Sequence, residues 1–194
     1  MKVAVLKYDA GNTASVANAL RRLGIEPAIT DDAEKLRAAE KVIFPGVGEA
    51  STAMRYLRER DLDRVLSSLI QPVLGICLGM QLMCGFSEEN ETECLGIFPG
   101  RARRFLPGDL KVPHTGWNQI TSLRPPLFEG VAEGSWVYFV HGYYVDSGPD
   151  TIAESEYGLK FSAAIERDNF FAVQFHPEKS ADVGAQILKN FLSL

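Results

Sequence analysis

Pro72-Val73-Leu74-Gly75-Ile76-Cys77-Leu78-Gly79 is the stretch that decides how this chain is read. From Val73 to Ile76 every residue is apolar or glycine, as in a strand buried on both faces. The spacing predicts a strand over 72–76 and a helix from about residue 78. Between them lies a glycine-x-nucleophile-x-glycine turn, with glycines where a Cβ would clash, which lifts the Cys77 side chain clear at the top of a sheet. The helix that follows aims its first N–H groups at the same spot, where they favour a thiolate and can hold an oxyanion.

Upstream of this turn, short apolar runs alternate with helical patterns. Residues 2–7 read as a strand. A helix capped by Asn12 or Thr13 follows, with Val16, Leu20 and Leu23 on one face and Gly24 at its end. Residues 25–29 form a weak second strand, and Asp31 and Asp32 open a short helix. A third strand over 41–44 is closed by Pro45-Gly46, and helices follow over 50–60 and 62–70. This βαβα rhythm predicts a parallel sheet with helices on both sides. Downstream, residues 97–174 are rich in aromatic and β-branched runs between turn residues. The segments 102–106, 136–140 and 170–175 read as antiparallel strands added to the sheet. A helix from about Asp182 carries a stripe of Val183, Ile187, Leu188 and Phe191. The expected architecture is one mixed α/β domain over 1–194, with a mostly parallel, flavodoxin-like sheet flanked by helices.

Composition narrows the function. The 194 residues carry a net charge of −5, so no broad cationic field favours nucleic acid or an anionic membrane. The longest apolar-rich stretch, 72–86, is too short to span a bilayer. The three cysteines, Cys77, Cys84 and Cys94, are odd in number and lack metal-ligand spacing. A disulfide framework or a zinc site is not expected, and a reducing cytoplasm is.

A thiol nucleophile needs a base, and the chain has three histidines, His114, His141 and His176. His176-Pro177-Glu178 follows an apolar run. In an extended segment, positions two apart share a side, which lets Glu178 orient the His176 imidazole. Pro45-Gly46-Val47-Gly48 follows the third strand, at the carboxyl end of a parallel sheet and beside the Cys77 turn. Its glycines allow the backbone to approach a ligand and turn N–H groups toward it. The Val47 N–H then joins that of Leu78 in an oxyanion site. The loop lacks the pattern of a phosphate-binding loop. Gln81, one helical turn after Cys77, is placed for the far end of a substrate.

Taken in order, Pro-Gly-Val-Gly at 45–48, Gly-Ile-Cys-Leu-Gly-Met-Gln at 75–81 and His-Pro-Glu at 176–178 resemble the class I (triad) glutamine amidotransferases. Further segments cover nearly the whole chain: Tyr8-Asp9-Ala10-Gly11-Asn12, 99–105, Val112-Pro113-His114-Thr115-Gly116-Trp117-Asn118, 138–144 and Glu178-Lys179-Ser180. They make the chain similar to the glutaminase subunits of imidazole glycerol phosphate synthases. Thr115 and Gly142 depart from the methionine and serine usual there. The resemblance implies hydrolysis of glutamine by Cys77, His176 and Glu178. It implies an oxyanion site at Val47 and Leu78, and substrate contacts from Gly46, Gly48 and Gln81, with no metal or cofactor. It also implies a (β/α)₈-barrel cyclase subunit that receives the ammonia in a heterodimer and makes imidazole glycerol phosphate and an aminoimidazole carboxamide ribotide. His114, Trp117, Tyr138 and Lys179 are then candidates for that interface. The alternatives are the glutaminase of another synthase, such as pyridoxal phosphate synthase, a stand-alone cysteine hydrolase, or a binding module without chemistry.

Overall fold

The structure is a computed structural model that describes residues 1–8, 12–106, 108 and 110–194. Asp9, Ala10 and Gly11 of the segment quoted above lie outside the described residues. The chain runs β1 (Val3–Leu6), α1 (Thr13–Arg22), β2 (Ala28–Thr30), α2 (Ala33–Arg37), β3 (Lys41–Gly46), α3 (Ala50–Glu59), α4 (Leu62–Ser67), β4 (Val73–Cys77) and α5 (Leu78–Met83). After it come β5 (Phe86–Ser87), β6 (Thr92–Glu93), β7 (Arg101–Arg104), β8 (His114–Ile120), β9 (Ser135–His141) and β10 (Tyr143–Val145). Last come β11 (Thr151–Glu156), β12 (Lys160–Arg167), β13 (Phe170–Val173) and α6 (Ala181–Ser193). Among the described residues no helix is long and apolar enough to cross a membrane.

Seven strands form the main sheet in the order β11-β12-β13-β4-β3-β1-β2. The five from β13 to β2 are parallel, and β12 and β11 continue the sheet antiparallel at one edge. Period-two alternation divides the strands between two apolar layers. Val5, Ile43, Leu74, Ile76 and Val173 pack toward α1 and α6. Leu6, Val42, Phe44 and Val73 pack toward α3, α4 and α5. A second sheet, β10-β7-β5-β6, and the antiparallel pair β8-β9 cover one end.

Helix ends follow local chemistry. The Asp32 carboxylate accepts from the Glu34 and Lys35 N–H groups, and the Glu49 carboxylate from those of Ser51 and Thr52. Gly24, at a φ of 81°, ends α1.

Two expectations are corrected here. Pro45 and Gly46 do not close β3 but belong to it, with Pro45 paired to Ile76 and Gly46 to Cys77. On the other side, pairing with β1 stops at Ile43, so the missing proline N–H interrupts no ladder there. The run from Phe170 is not antiparallel to its sheet neighbour on the elbow side. β13 lies parallel to β4, with Val173 paired to Ile76, because the long excursion through β5–β12 returns the chain to the end where it left.

Candidate active site

Three adjacent parallel strands end at one place. β3 delivers Val47, β4 delivers Cys77, and β13 leads through Gln174 and Phe175 to His176. They open on a cleft of about 360 Å³ lined by Val47, Gly48, Cys77, Leu78, Gln81, Glu89, Pro113, residues 140–143, His176 and Lys179. That volume suits a small molecule of amino-acid size.

Cys77 stands at a φ of 55° and a ψ of −108°, a strained conformation for a residue with a side chain, at the start of α5. The elbow closes only because Gly79 has no Cβ. One built there would meet the Phe44 carbonyl oxygen, and one on Gly75 would stand 2.8 Å from the Met83 sulfur. The thiol is nearly buried and donates to the Val140 carbonyl at 3.6 Å. The other two cysteines behave as packing residues. Burial pushes the Cys84 and Cys94 thiols up to about 12, which keeps them protonated.

His176 Nδ1 lies 2.8 Å from Glu178 Oε1, and both side chains are buried. The reach does not come from an extended backbone as expected. Pro177–Lys179 forms a single 3₁₀ turn that folds Glu178 back against the ring. Burial lowers the His176 pKa, but the neighbouring Cys77 sulfur and Glu178 carboxylate outweigh it and raise it to about 10. Both neighbours favour the charged form of the imidazole. Its main chain is clamped as well: His176 N–H donates to Tyr138 O at 2.9 Å, and Ser180 Oγ donates to His176 O at 2.7 Å.

The loop after β3 divides into two unlike glycines. Gly46 is buried in β3 and is not among the residues that line the cleft. A Cβ there would meet the Tyr8 hydroxyl and stand 2.7 Å from Leu78 Cβ, so its role is close packing. Gly48 does line the cleft, at a φ of 116° that glycine alone adopts readily. Val47 is 41% exposed.

Gln81 lines the cleft but is buried, and its Nε2 donates to Tyr143 O at 3.3 Å and to Gln174 Oε1 at 3.1 Å. Of the interface candidates, Trp117 and Tyr138 face each other across β8-β9, with ring centroids 5.9 Å apart and Trp117 exposed. Lys179 is exposed at the cleft rim. His114 is not a surface residue. It is buried, stacks on Tyr157 at 4.0 Å, and meets His141 Nε2 through Nδ1 at 3.0 Å.

Sequence reasoning did not single out Glu89 or Gln174. The Glu89 carboxylate lines the cleft, accepts the Ala50 N–H at 2.8 Å, and is raised in pKa chiefly by burial. It sits in an irregular turn that no periodicity marks. Gln174 is wholly buried, and the one signal for it was a polar residue continuing an apolar strand.

The arrangement is a thiol at a helix start, an imidazole beside it, a carboxylate behind that, and backbone N–H groups around an amino-acid-sized cleft. It can form and hydrolyse a thioester. The profile of glutamine amidotransferase class-I matches residues 5–194. The chain belongs to that family. It is 58% identical to the imidazole glycerol phosphate synthase subunit HisH of Bacteroides fragilis over the full length of both. It is 46% identical to the HisH subunit of Shewanella loihica, over 98% of this chain and 89% of that one. The fold is shared with more distant structures. A solved glutamine amidotransferase superposes with a TM-score of 0.78 at 20% identity, covering 100% of this chain and 98% of that one. PurLQS of Thermotoga maritima does so with 0.74 at 18% identity, over 99% and 97%.

Proposed function

We propose that this chain is the glutamine amidotransferase subunit of an imidazole glycerol phosphate synthase. It hydrolyses glutamine and passes the ammonia to a cyclase partner in histidine biosynthesis. The observation that carries this reading is the convergence of Val47, Cys77 and His176 from three neighbouring parallel strands, in a chain with full-length HisH relatives.

The Cys77 thiolate attacks the side-chain amide carbon of glutamine. The N–H groups of Val47 and Leu78 stabilise the oxyanion, each donor contributing on the order of 3 kcal/mol. His176 gives its proton to the departing ammonia, then activates the water that releases glutamate from the thioester, while Glu178 holds the ring. At the far end of the substrate, both donors of Gln81 are engaged, which leaves its Oε1 as acceptor for the substrate ammonium. The Glu89 carboxylate supports the same charge, and Gly48 allows the chain to pass close by. No cofactor enters these steps.

Ammonia released into neutral water becomes ammonium, which is no nucleophile, so an acceptor site must sit close by. The proposed partner is a (β/α)₈-barrel cyclase in a heterodimer, producing imidazole glycerol phosphate and an aminoimidazole carboxamide ribotide. Trp117, Tyr138 and Lys179 form the surface offered to it. The whole of 1–194 then acts as one amidotransferase domain, in a reducing cytoplasm that keeps its thiol free.

The test is glutamate release by the chain alone and with its cyclase and the cyclase's ligand, for wild type and Cys77→Ala. The variant should fold normally, bind the cyclase, and lose activity by about a thousandfold or more. Retained activity, or adduct formation at Cys84 or Cys94 by a glutamine-mimicking electrophile in an active complex, would overturn the reading.

A further inference from the structure

The proposed mechanism leaves one buried polar side chain at the sulfur without a role. Gln174 directly follows β13, and the pairing of Val173 with Ile76 sets it beside Cys77 at the ends of neighbouring strands. It is wholly buried, and its Nε2 donates to Cys77 Sγ at 3.7 Å.

A side-chain amide can face either way, but here the main chain decides. The Tyr143 carbonyl can only accept. Gln81 turns its Nε2 to that carbonyl at 3.3 Å, and the same nitrogen donates to Gln174 Oε1 at 3.1 Å. With Oε1 taken, the Gln174 NH₂ group must face the sulfur. The Tyr143 carbonyl also accepts from His141 Nδ1 at 2.7 Å, so His141 Nε2 is left to accept from His114 Nδ1 at 3.0 Å. One backbone oxygen thereby sets the direction of the whole series.

We propose that Gln174 is a further catalytic residue of this centre: its amide N–H holds the Cys77 sulfur as thiolate, and Gln81 and the Tyr143 carbonyl lock that amide in its donating orientation. The proposal rests on the reading of Cys77 as the nucleophile. Two neutral groups contact the sulfur with opposite effect. The Val140 carbonyl can accept only from the thiol form, at 3.6 Å, whereas the Gln174 N–H serves the thiolate. A buried anion without donors is costly, and a neutral donor supplies one without competing for the His176 proton.

The titratable groups around the cleft come from several elements, with Glu178 behind His176. They are Tyr8 at the end of β1, His141 and Tyr143 from β9 and β10, and Glu89, His176 and Lys179 along its walls. Burial holds His141 near 3, hence neutral, so it adds no charge that would replace the amide.

Gln174→Met keeps the length and removes the donor, and Gln174→Glu puts an acceptor in its place. The readouts are iodoacetamide alkylation of Cys77 against pH on the intact chain, with the adduct mapped, and kcat and KM for glutamate release in the cyclase complex. Gln174→Met should slow alkylation at neutral pH about tenfold and move its midpoint up by about one pH unit. It should lower kcat about as much, with a smaller rise in KM, because the Tyr143 carbonyl still holds Gln81 when the Gln174 oxygen is gone. Gln174→Glu should move the midpoint further in the same direction, and it carries the test if the methionine variant does not fold. Folded variants that alkylate like wild type, or that raise KM alone, overturn the proposal. Cys77→Ser run in parallel separates the two readings. Surviving glutamate release there removes the nucleophile itself, whereas loss there with an unmoved profile in Gln174→Met removes Gln174 alone.

Discussion

On the wall of the cleft that carries His176, side chain and main chain are both engaged. The ring is tied to Glu178, the His176 N–H to Tyr138 O, and the Ser180 hydroxyl bridges the His176 carbonyl and the Tyr138 N–H. The exception is Glu178 Oε2, which is buried without a partner among the described residues. On the opposite wall Val47 and Gly48 are exposed, and among the described residues nothing accepts the Val47 N–H. The acid–base groups are thus assembled in advance, while the expected oxyanion donor sits where least restrains it. The Val47 N–H therefore leaves no acceptor behind when it changes direction.

The sharpest way to break this contrast is Val47→Pro, which deletes the N–H but no ladder bond. Stimulated kcat in the cyclase complex should fall about 10²- to 10³-fold with the melting temperature unchanged. Full stimulated activity would remove Val47 from the oxyanion site. A smaller effect separates the two glycines of that wall. Gly46→Ala crowds Tyr8 and Leu78 and should cost about 1–3 kcal/mol in denaturant unfolding. A neutral result would mean that the packed half of the loop yields as readily as the exposed half.

A third effect concerns the histidine pair His114 and His141. Burial holds His114 at about 4 and His141 at about 3, below the ordinary value near 6.5. A lowered histidine binds fewer protons folded than unfolded, so stability is lost as pH falls below 6.5 and continues down to those values. The limiting slope is about 1.4 kcal/mol per pH unit for each ring. Unfolding free energies at neutral pH and near pH 5 should show the loss, and His141→Gln should flatten it. An identical acid limb in that variant would mean that the pair does not set it.

Legibility followed locality. The Cys77 elbow could be read because its strand, its glycines and its nucleophile are consecutive, and the structure bears the turn out in a strained φ of 55°. Asp32 could be read as a cap for the same reason. Pro45 was misjudged because proline ends a strand only where its N–H is needed, and which neighbour lies on that side is not local. His114, a candidate for the partner interface, is buried, since stacking on Tyr157 depends on a residue 43 positions away. Gln174 went unnoticed because one polar residue after an apolar run has no period to betray it.

The sequence by itself determined the βαβ rhythm, the elbow, the candidate triad and the family resemblance, all written in neighbouring residues whose sterics and hydrogen bonds act at short range. Only the tertiary structure decided that β13 lies parallel beside β4, that Gly46 is a packing residue, and that Gln174 meets a sulfur 97 positions away. Those choices depend on which apolar faces bury one another once the chain has closed on itself, and adjacent residues carry no record of that.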